Sequence, residues 1–356
     1  MTDLLQRSIE IILENQSPTG AYLASPNFAT YHYCWFRDGA FIAYAMNLAD
    51  EHESAHRFHN WAAMIINQRA GIVERAIAKA QRHESLEPTD ILDTRYTAEG
   101  KAGAEEWPNF QLDGLGTWLW ALQAHQQLSE TELPDEWLQA AGLVADYLAA
   151  LWQRLCYDCW EEVPDKVHMY TLAAIYAGLQ AHASLGGANH ERILADIKCF
   201  LCEEGASQQH FLKFVGSPQV DASLLGLATP YQVMRPDSPL MQATVTKIEA
   251  NLRHQGGGVH RYATDTYYGG GEWILLTAWL GWYYTQIGAN EKALAIKKWV
   301  EAQADKRGNL PEQLSATLND TSFYEPWRKR WGEIASPLLW SHAQYIILFV
   351  AIRSQS

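Results

Sequence analysis

The sequence predicts an all-α fold, a twelve-helix (α/α)6 barrel forming one domain over residues 1–356, and three observations predict it. Apolar residues recur at helical spacing along most of the chain, as in the stripes Leu4, Leu5, Ser8, Ile9, Ile12, Leu13 and Leu143, Val144, Tyr147, Leu148, Leu151. Strand-like alternation is scarce. The connections between the helical runs alternate between short and long, so antiparallel neighbours place every long loop at one end.

The individual elements follow from periodicity and punctuation. Helices are expected at 2–14, 38–50, 52–77, 112–128, 134–156, 170–184, 189–205, 220–229, 239–254, 271–287, 290–304 and 336–353. Ser238-Pro239 and Ser336-Pro337 have the form of an N-cap followed by proline at the first helical position. Gly288 marks the boundary between two helices. The long connections are 15–37, 78–111, 157–169, 206–219, 255–270 and 305–335. Six helical hairpins around an axis make a toroid, and its long-loop end is the expected functional face, because loops on a rigid scaffold usually carry the chemistry.

Composition narrows the function. The chain has 356 residues, 48% of them hydrophobic, which suits a large packed core rather than disorder. Its formal charge of −14, with no basic run, argues against nucleic acid as a partner. No apolar stretch approaches the roughly 20 residues that cross a bilayer, and Met1 to Gln6 lacks a basic segment leading into an apolar one, so a membrane partner is not expected. These features and the odd count of five cysteines point to the cytoplasm. Fifteen Trp and 17 Tyr exceed what a core needs, and flat rings with a polar edge suit the faces of sugars.

Aromatic and charged residues crowd the long loops, around Tyr31 to Asp38, Trp107 to Asp113, Asp158 to Glu162, Arg261 to Trp273 and Asn309 to Gln313. Any one cluster is equally well explained by packing and surface ion pairs, but five on one face favour a site. Glu161 and Glu312 are carboxylates on separate loops, and glycosidic bond cleavage needs such a pair: one group protonates the leaving oxygen and the other activates water. Glu161 lies beside Trp160, whereas Glu312 follows Pro311 in an otherwise polar loop.

The ordered motifs Trp35-Phe36-Arg37-Asp38, Trp107 with Gln111-Leu112-Asp113-Gly114, Trp160-Glu161-Glu162-Val163, Val220-Asp221-Ala222-Ser223-Leu224-Leu225, Arg261-Tyr262 with Asp265-Thr266-Tyr267-Tyr268, Pro311-Glu312-Gln313 and Leu339-Trp340-Ser341 resemble those of glucoamylases, glycoside hydrolase family 15. The resemblance spans residues 31 to 341. It implies an (α/α)6 barrel that releases glucose, with inversion, from the non-reducing ends of α-glucans. It gives Glu161 the general acid position, Glu312 the general base position and Glu162 a substrate-binding position. Arg37, Asp38 and Arg261 match contacts to the terminal sugar, and Tyr31, Trp35 and Trp107 match aromatic positions lining the subsites. Asp113, Asp221, Asp265 and Trp340 also match, but capping or packing explains them as well, and they stay outside the expected site.

Departures from the family pattern bear on substrate. Fungal glucoamylases have arginine where this chain has Asn109 and Leu112, so the second sugar is met differently. The compact form, without an additional β-domain or starch-binding module, resembles the isomaltose-type glucohydrolases of the family, which ranks α-1,6 linkages in short α-gluco-oligosaccharides first. No cofactor or metal is expected. The pairs Cys156/Cys159 and Cys199/Cys202 are spaced like thiolate ligands, but the second pair lies within a helical run and buried free thiols are the better reading. The competing functions are a non-catalytic glucan-sensing or regulatory module on the same barrel, and another α/α-barrel enzyme such as an epimerase or lyase.

Overall fold

The structure, a computed structural model, describes residues 3–207, 209–254 and 256–355; residues 1, 2 and 356, the extremes of the expected helix and domain, lie outside these. Thirteen α-helices run through the described residues: α1 Leu4–Glu14, α2 Phe36–Leu48, α3 His52–Gln68, α4 Ala70–Gln81, α5 Asp113–Ser129, α6 Asp135–Leu151, α7 Met169–Ser184, α8 Glu191–Glu203, α9 Pro239–Leu252, α10 Ile274–Gln286, α11 Asn290–Glu301, α12 Tyr324–Trp331 and α13 Leu339–Arg353. A 3-10 segment occupies Ala222–Leu227.

Contacts between these elements close a ring. α2 packs on α5, α5 on α7, α7 on the 3-10 segment, that segment on α10, α10 on α13, and α13 back on α2. Around it, α1 packs on α13, α3 on α2 and α6, α8 on α7, α9 on the 3-10 segment, and α11 on α10 and α13. Six inner and six outer positions make the (α/α)6 barrel. Sequence separates the two rings, because an inner helix is apolar on all sides and an outer one on a single stripe. Every residue of Ile274–Thr285 in α10 is buried, whereas in α8 only Ile197 and Leu201 are.

Inner helices approach closely where side chains are absent. α5 and α7 cross at Gly116 and Gly178, where a Cβ on Gly116 would fall 2.3 Å from the Ala174 carbonyl oxygen and one on Gly178 would fall 2.7 Å from Gly116 Cα. Near the axis the rings of Phe41, Trp279 and Trp340, from α2, α10 and α13, pack at centroid distances of 5.2 to 6.2 Å.

Four expected elements differ. The run 52–77 is two helices broken at Arg69, whose guanidinium donates to the Gly100 carbonyl at 2.7 Å and lies over the Tyr96 ring; these tertiary contacts outweigh continued helical periodicity. The run 220–229 is a 3-10 segment because Pro230 follows too soon for an α-helix to close its hydrogen bonds. The loop 305–335 contains α12, a short helix with no buried residue, held by Arg328 bridging Glu325 and Glu333 and by Trp327 packed edge-on to Tyr267. At 336–353, Ser336-Pro337 precedes the helix instead of opening it, and Leu338 is the capping residue.

Short antiparallel ladders stiffen the long-loop end. β1 Cys34–Trp35 pairs with β2 Arg95–Tyr96, and β3 Glu272–Trp273 pairs with β4 Gln313–Leu314. They lead directly into α2 and α10, so the residues at those helix starts have fixed backbones.

Candidate active site

All nine residues expected in the site line one cavity of about 390 Å³ at the long-loop end: Tyr31, Trp35, Arg37, Asp38, Trp107, Glu161, Glu162, Arg261 and Glu312. That volume lies at the small end of ligand pockets, which run from about 300 to 1,000 Å³. Arg37 and Asp38 are 5% and 7% exposed and mark the closed end, whereas Trp331, at 36%, belongs to the rim.

Glu161 sits in the α6–α7 connection with φ +68, and Val163 in the same turn has φ +50. Left-handed backbone at such residues persists only when neighbours impose it. Asp158 does so here. Its Oδ1 accepts from the Trp160 and Glu162 amides at 2.9 Å each, and its carbonyl accepts from the Glu161 amide at 3.0 Å. The Glu161 side chain is then gripped at one oxygen: Trp35 Nε1 at 2.6 Å, Trp107 Nε1 at 2.9 Å and Gln111 Nε2 at 3.3 Å all donate to Oε1.

Glu312 precedes β4 and is 2% exposed, so the polar loop expected from its neighbours is in fact interior; its amide donates to the Ala335 carbonyl, and its carbonyl accepts from Ile274. Burial pushes its carboxyl up to about 8, opposed by the Tyr31 hydrogen bond and the Arg261 charge. Oε1 accepts from the Tyr31 hydroxyl at 2.9 Å, while Oε2 is buried without a protein partner among the described residues.

Arg37 and Asp38 stand in the first turn of α2, two residues later in the helix than the sequence suggests. Arg37 Nη1 donates to Gln111 Oε1 and Asp113 Oδ2, both at 3.0 Å, and the guanidinium faces the Trp340 ring. Burial raises the Asp38 carboxyl to about 6 against the pull of Arg37. Arg261 is clamped by Asp265, through Nε at 2.7 Å and a second contact from Nη2, and reaches Glu162 Oε1 at 3.3 Å. Tyr262 donates to the other Glu162 oxygen. Burial raises the Glu162 carboxyl, opposed by Arg261 and Lys213.

Several working parts lay outside the expected site. Asp113, Asp221 and Asp265 are the anchors of Arg37, Trp160 and Arg261 respectively. Asp221 is also the N-cap of the 3-10 segment, so the capping explanation was correct without being complete. Trp340 lines the cavity. Gln111, Tyr267 and Trp327 are the other additions; the first two fall within the motifs, while Trp327 had no signal, since α12 itself was unmarked. The cysteine pairs lie apart in character: Cys156 and Cys159 are buried, and Cys199 and Cys202 are exposed on α8.

The arrangement supplies a carboxylate with three donors, a second carboxylate with a buried free oxygen, and an arginine–carboxylate pair at each flank. The model for Glycosyl hydrolases family 15 matches residues 1–350. Isomaltose glucohydrolase of Kribbella flavida is 37% identical over 97% of this chain and 91% of its own length. An uncharacterized glycosyl hydrolase of Methanocaldococcus jannaschii is 26% identical over 97% of this chain, which spans 55% of that longer protein. A solved wild-type glycosidase superposes with a TM-score of 0.94 at 37% identity, covering 98% of this chain and 96% of that one, as does a glycosidase variant in complex with glucose. A bacterial glucoamylase complexed with acarbose, at 20% identity and a TM-score of 0.77 over 98% of this chain and 55% of its own, shares the fold. With the family model covering nearly the whole chain and the motif residues gathered in one cavity, this protein belongs to glycosyl hydrolase family 15 and is a glycoside hydrolase.

Proposed function

We propose that the barrel is itself the catalytic unit of an exo-acting, inverting α-glucoside hydrolase that releases β-glucose from the non-reducing ends of short α-gluco-oligosaccharides, α-1,6 before α-1,4. The observation that carries this reading is the unequal setting of the two carboxyl groups in one cavity. Three donors converge on Glu161 Oε1, so a proton on this group resides on Oε2 and is available to a glycosidic oxygen; the same donors then receive the carboxylate left behind. Glu312 is oriented by Tyr31 through Oε1, which leaves Oε2 to take a proton from water.

Inversion is favoured because the two groups have separate anchors. Glu161 hangs from Trp35 and Trp107, and Glu312 from Tyr31, whose ring stands edge-on to Trp35 at 5.6 Å between them. Carboxyl groups about 6.5 to 9.5 Å apart admit a water, whereas a gap near 5 Å permits direct attack and retention. The small, closed cavity supports exo action on short substrates, with one glucose held between Arg37, Asp38 and Arg261. The likeness to an isomaltose glucohydrolase supports the α-1,6 preference. Five free cysteines accord with a reducing, cytoplasmic setting.

The test is glucose release from isomaltose, panose, maltose, trehalose and starch, with proton NMR in the first minutes. The expected result is turnover of isomaltose first, with the β-anomeric signal leading. Initial α-glucose would overturn inversion, faster starch hydrolysis would overturn the substrate class, and no turnover of any glucoside would leave a glucan-binding module as the better reading.

A further inference from the structure

Beneath the Glu161 turn lies a lysine that neither periodicity nor motif singles out. Lys213, in the connection after α8, has a side chain only 7% exposed, which is rare for lysine without a purpose for its charge. Its Nζ stands 3.1 Å from Asp221 Oδ2, 3.3 Å from Asp158 Oδ2 and 4.0 Å from Glu162 Oε2, and 3.5 Å above the centre of the Tyr262 ring.

Two of those carboxylates are the ones that shape the acid turn. Asp158 uses Oδ1 to hold the Trp160 and Glu162 amides on either side of Glu161, and Asp221 accepts from the Trp160 indole at 3.0 and 3.1 Å. Lys213 is the cation on the remaining oxygen of Asp158, and on Asp221 it shares Oδ2 with the Trp160 indole. Asp158 is 3% exposed and Asp221 1%, and buried carboxylates without a countercharge are costly enough to take up a proton or rearrange. The other nearby cation, Arg261, is engaged by Asp265 and Glu162. Glu161, at φ +68, has no conformational preference for its position and depends on this frame.

We propose that Lys213 is a positioning residue for the general acid: by neutralising Asp158 and Asp221 together it holds the 158–163 turn so that Glu161 meets the leaving oxygen. This rests on the reading of Glu161 as the acid. It makes no contact with substrate, and its effect passes through Asp158 to the turn and through Asp221 to Trp160.

The test compares two substrates that differ in their need for a proton. The glucose displaced from isomaltose departs as an alkoxide unless its glycosidic oxygen is protonated, whereas α-glucosyl fluoride releases fluoride and needs little help. Lys213→Met is expected to lower kcat on isomaltose about 100-fold, as displacements near 1 Å do, with less than about a 5-fold loss on the fluoride, and Lys213→Arg to recover part of the difference. Asp158→Asn, which keeps an acceptor for the two amides and drops the charge, is the second variant should Lys213→Met not fold, and is expected to shift the ratio in the same direction. Equal losses on both substrates, or none on either, would make Lys213 a purely structural ion-pair partner and overturn the proposal. Glu161→Gln is the control: if it fails to separate the two substrates, the acid assignment itself falls and the role of Lys213 with it, whereas separation by Glu161→Gln without separation by Lys213→Met overturns the role of Lys213 alone.

Discussion

The Tyr31 hydroxyl lies 2.9 Å from Glu312 Oε1 and 2.9 Å from the Tyr267 hydroxyl. Tyr31 has one proton and gives it to the carboxylate, so Tyr267 must donate to Tyr31, and the two tyrosines form a relay aimed at the base. The Glu312 carboxyl, raised by burial to about 8, is charged only as pH climbs towards that value. The acid limb of kcat/KM is therefore expected well above the range of an ordinary carboxylate. Tyr31→Phe removes a donor to the charged form, so the limb moves to still higher pH and activity at pH 7 falls about 10- to 100-fold, the worth of a hydrogen bond to a charged group. An unchanged limb in this variant would separate Tyr31 from the base.

Glu161→Gln and Glu312→Gln are each expected to lower kcat by about 10² to 10⁴-fold with the helical signal intact. Near-normal turnover in either would remove that residue from its role.

The same burial gives Glu312→Gln a signature in stability. A carboxyl whose folded pKa is raised, from 4.5 to about 8, favours folding below its unfolded pKa, and that contribution is lost as pH rises through 8. The variant, which never ionises, should melt above the wild type at pH 8 and show no such advantage at pH 4. Calorimetry at the two pH values checks it; an equal offset at both would mean the carboxyl ionises without cost.

At the rim, Trp331 and Trp327 flank Arg330, whose guanidinium lies 4.8 and 5.6 Å from their ring centres. On the proposed reading, with the terminal glucose at the closed end, these rings would face the leaving sugar. Trp331→Ala, at an exposed position, is expected to raise KM for isomaltose and panose about 3- to 10-fold through lost stacking and to leave α-glucosyl fluoride unaffected, since fluoride has no ring to stack. An equal effect on the fluoride would place the ring at the first glucose instead.

Gly116→Ala would drive a methyl group against the Ala174 carbonyl at the α5–α7 crossing. The helices must separate, and a loss of about 1 to 3 kcal/mol or more is expected in denaturant unfolding. An unaltered midpoint would show that the inner ring yields more easily than its packing suggests.

Much of the fold was legible in the chain because it depends on local pattern. Helical periodicity located most of the helices, and the alternation of short and long connections put Tyr31, Glu161, Arg261 and Glu312 on one face. Wherever a tertiary contact outweighed local preference, the reading failed: Arg69 broke a helix to reach Gly100 and Tyr96, and α12, eight residues long with none buried, is held on Tyr267 through Trp327. Residue identity also nominated the two carboxylates, but their environments came from residues far away in sequence. Glu312 is interior because Ala335 and Ile274 close over its backbone, and Glu161 keeps an unfavourable φ because Asp158 and Asp221 are neutralised by Lys213 from another loop. A sequence specifies which groups are present and which helices carry them; desolvation and buried ion pairing are sums over neighbours that only folding assembles, and they decide which oxygen of each carboxyl is free to act.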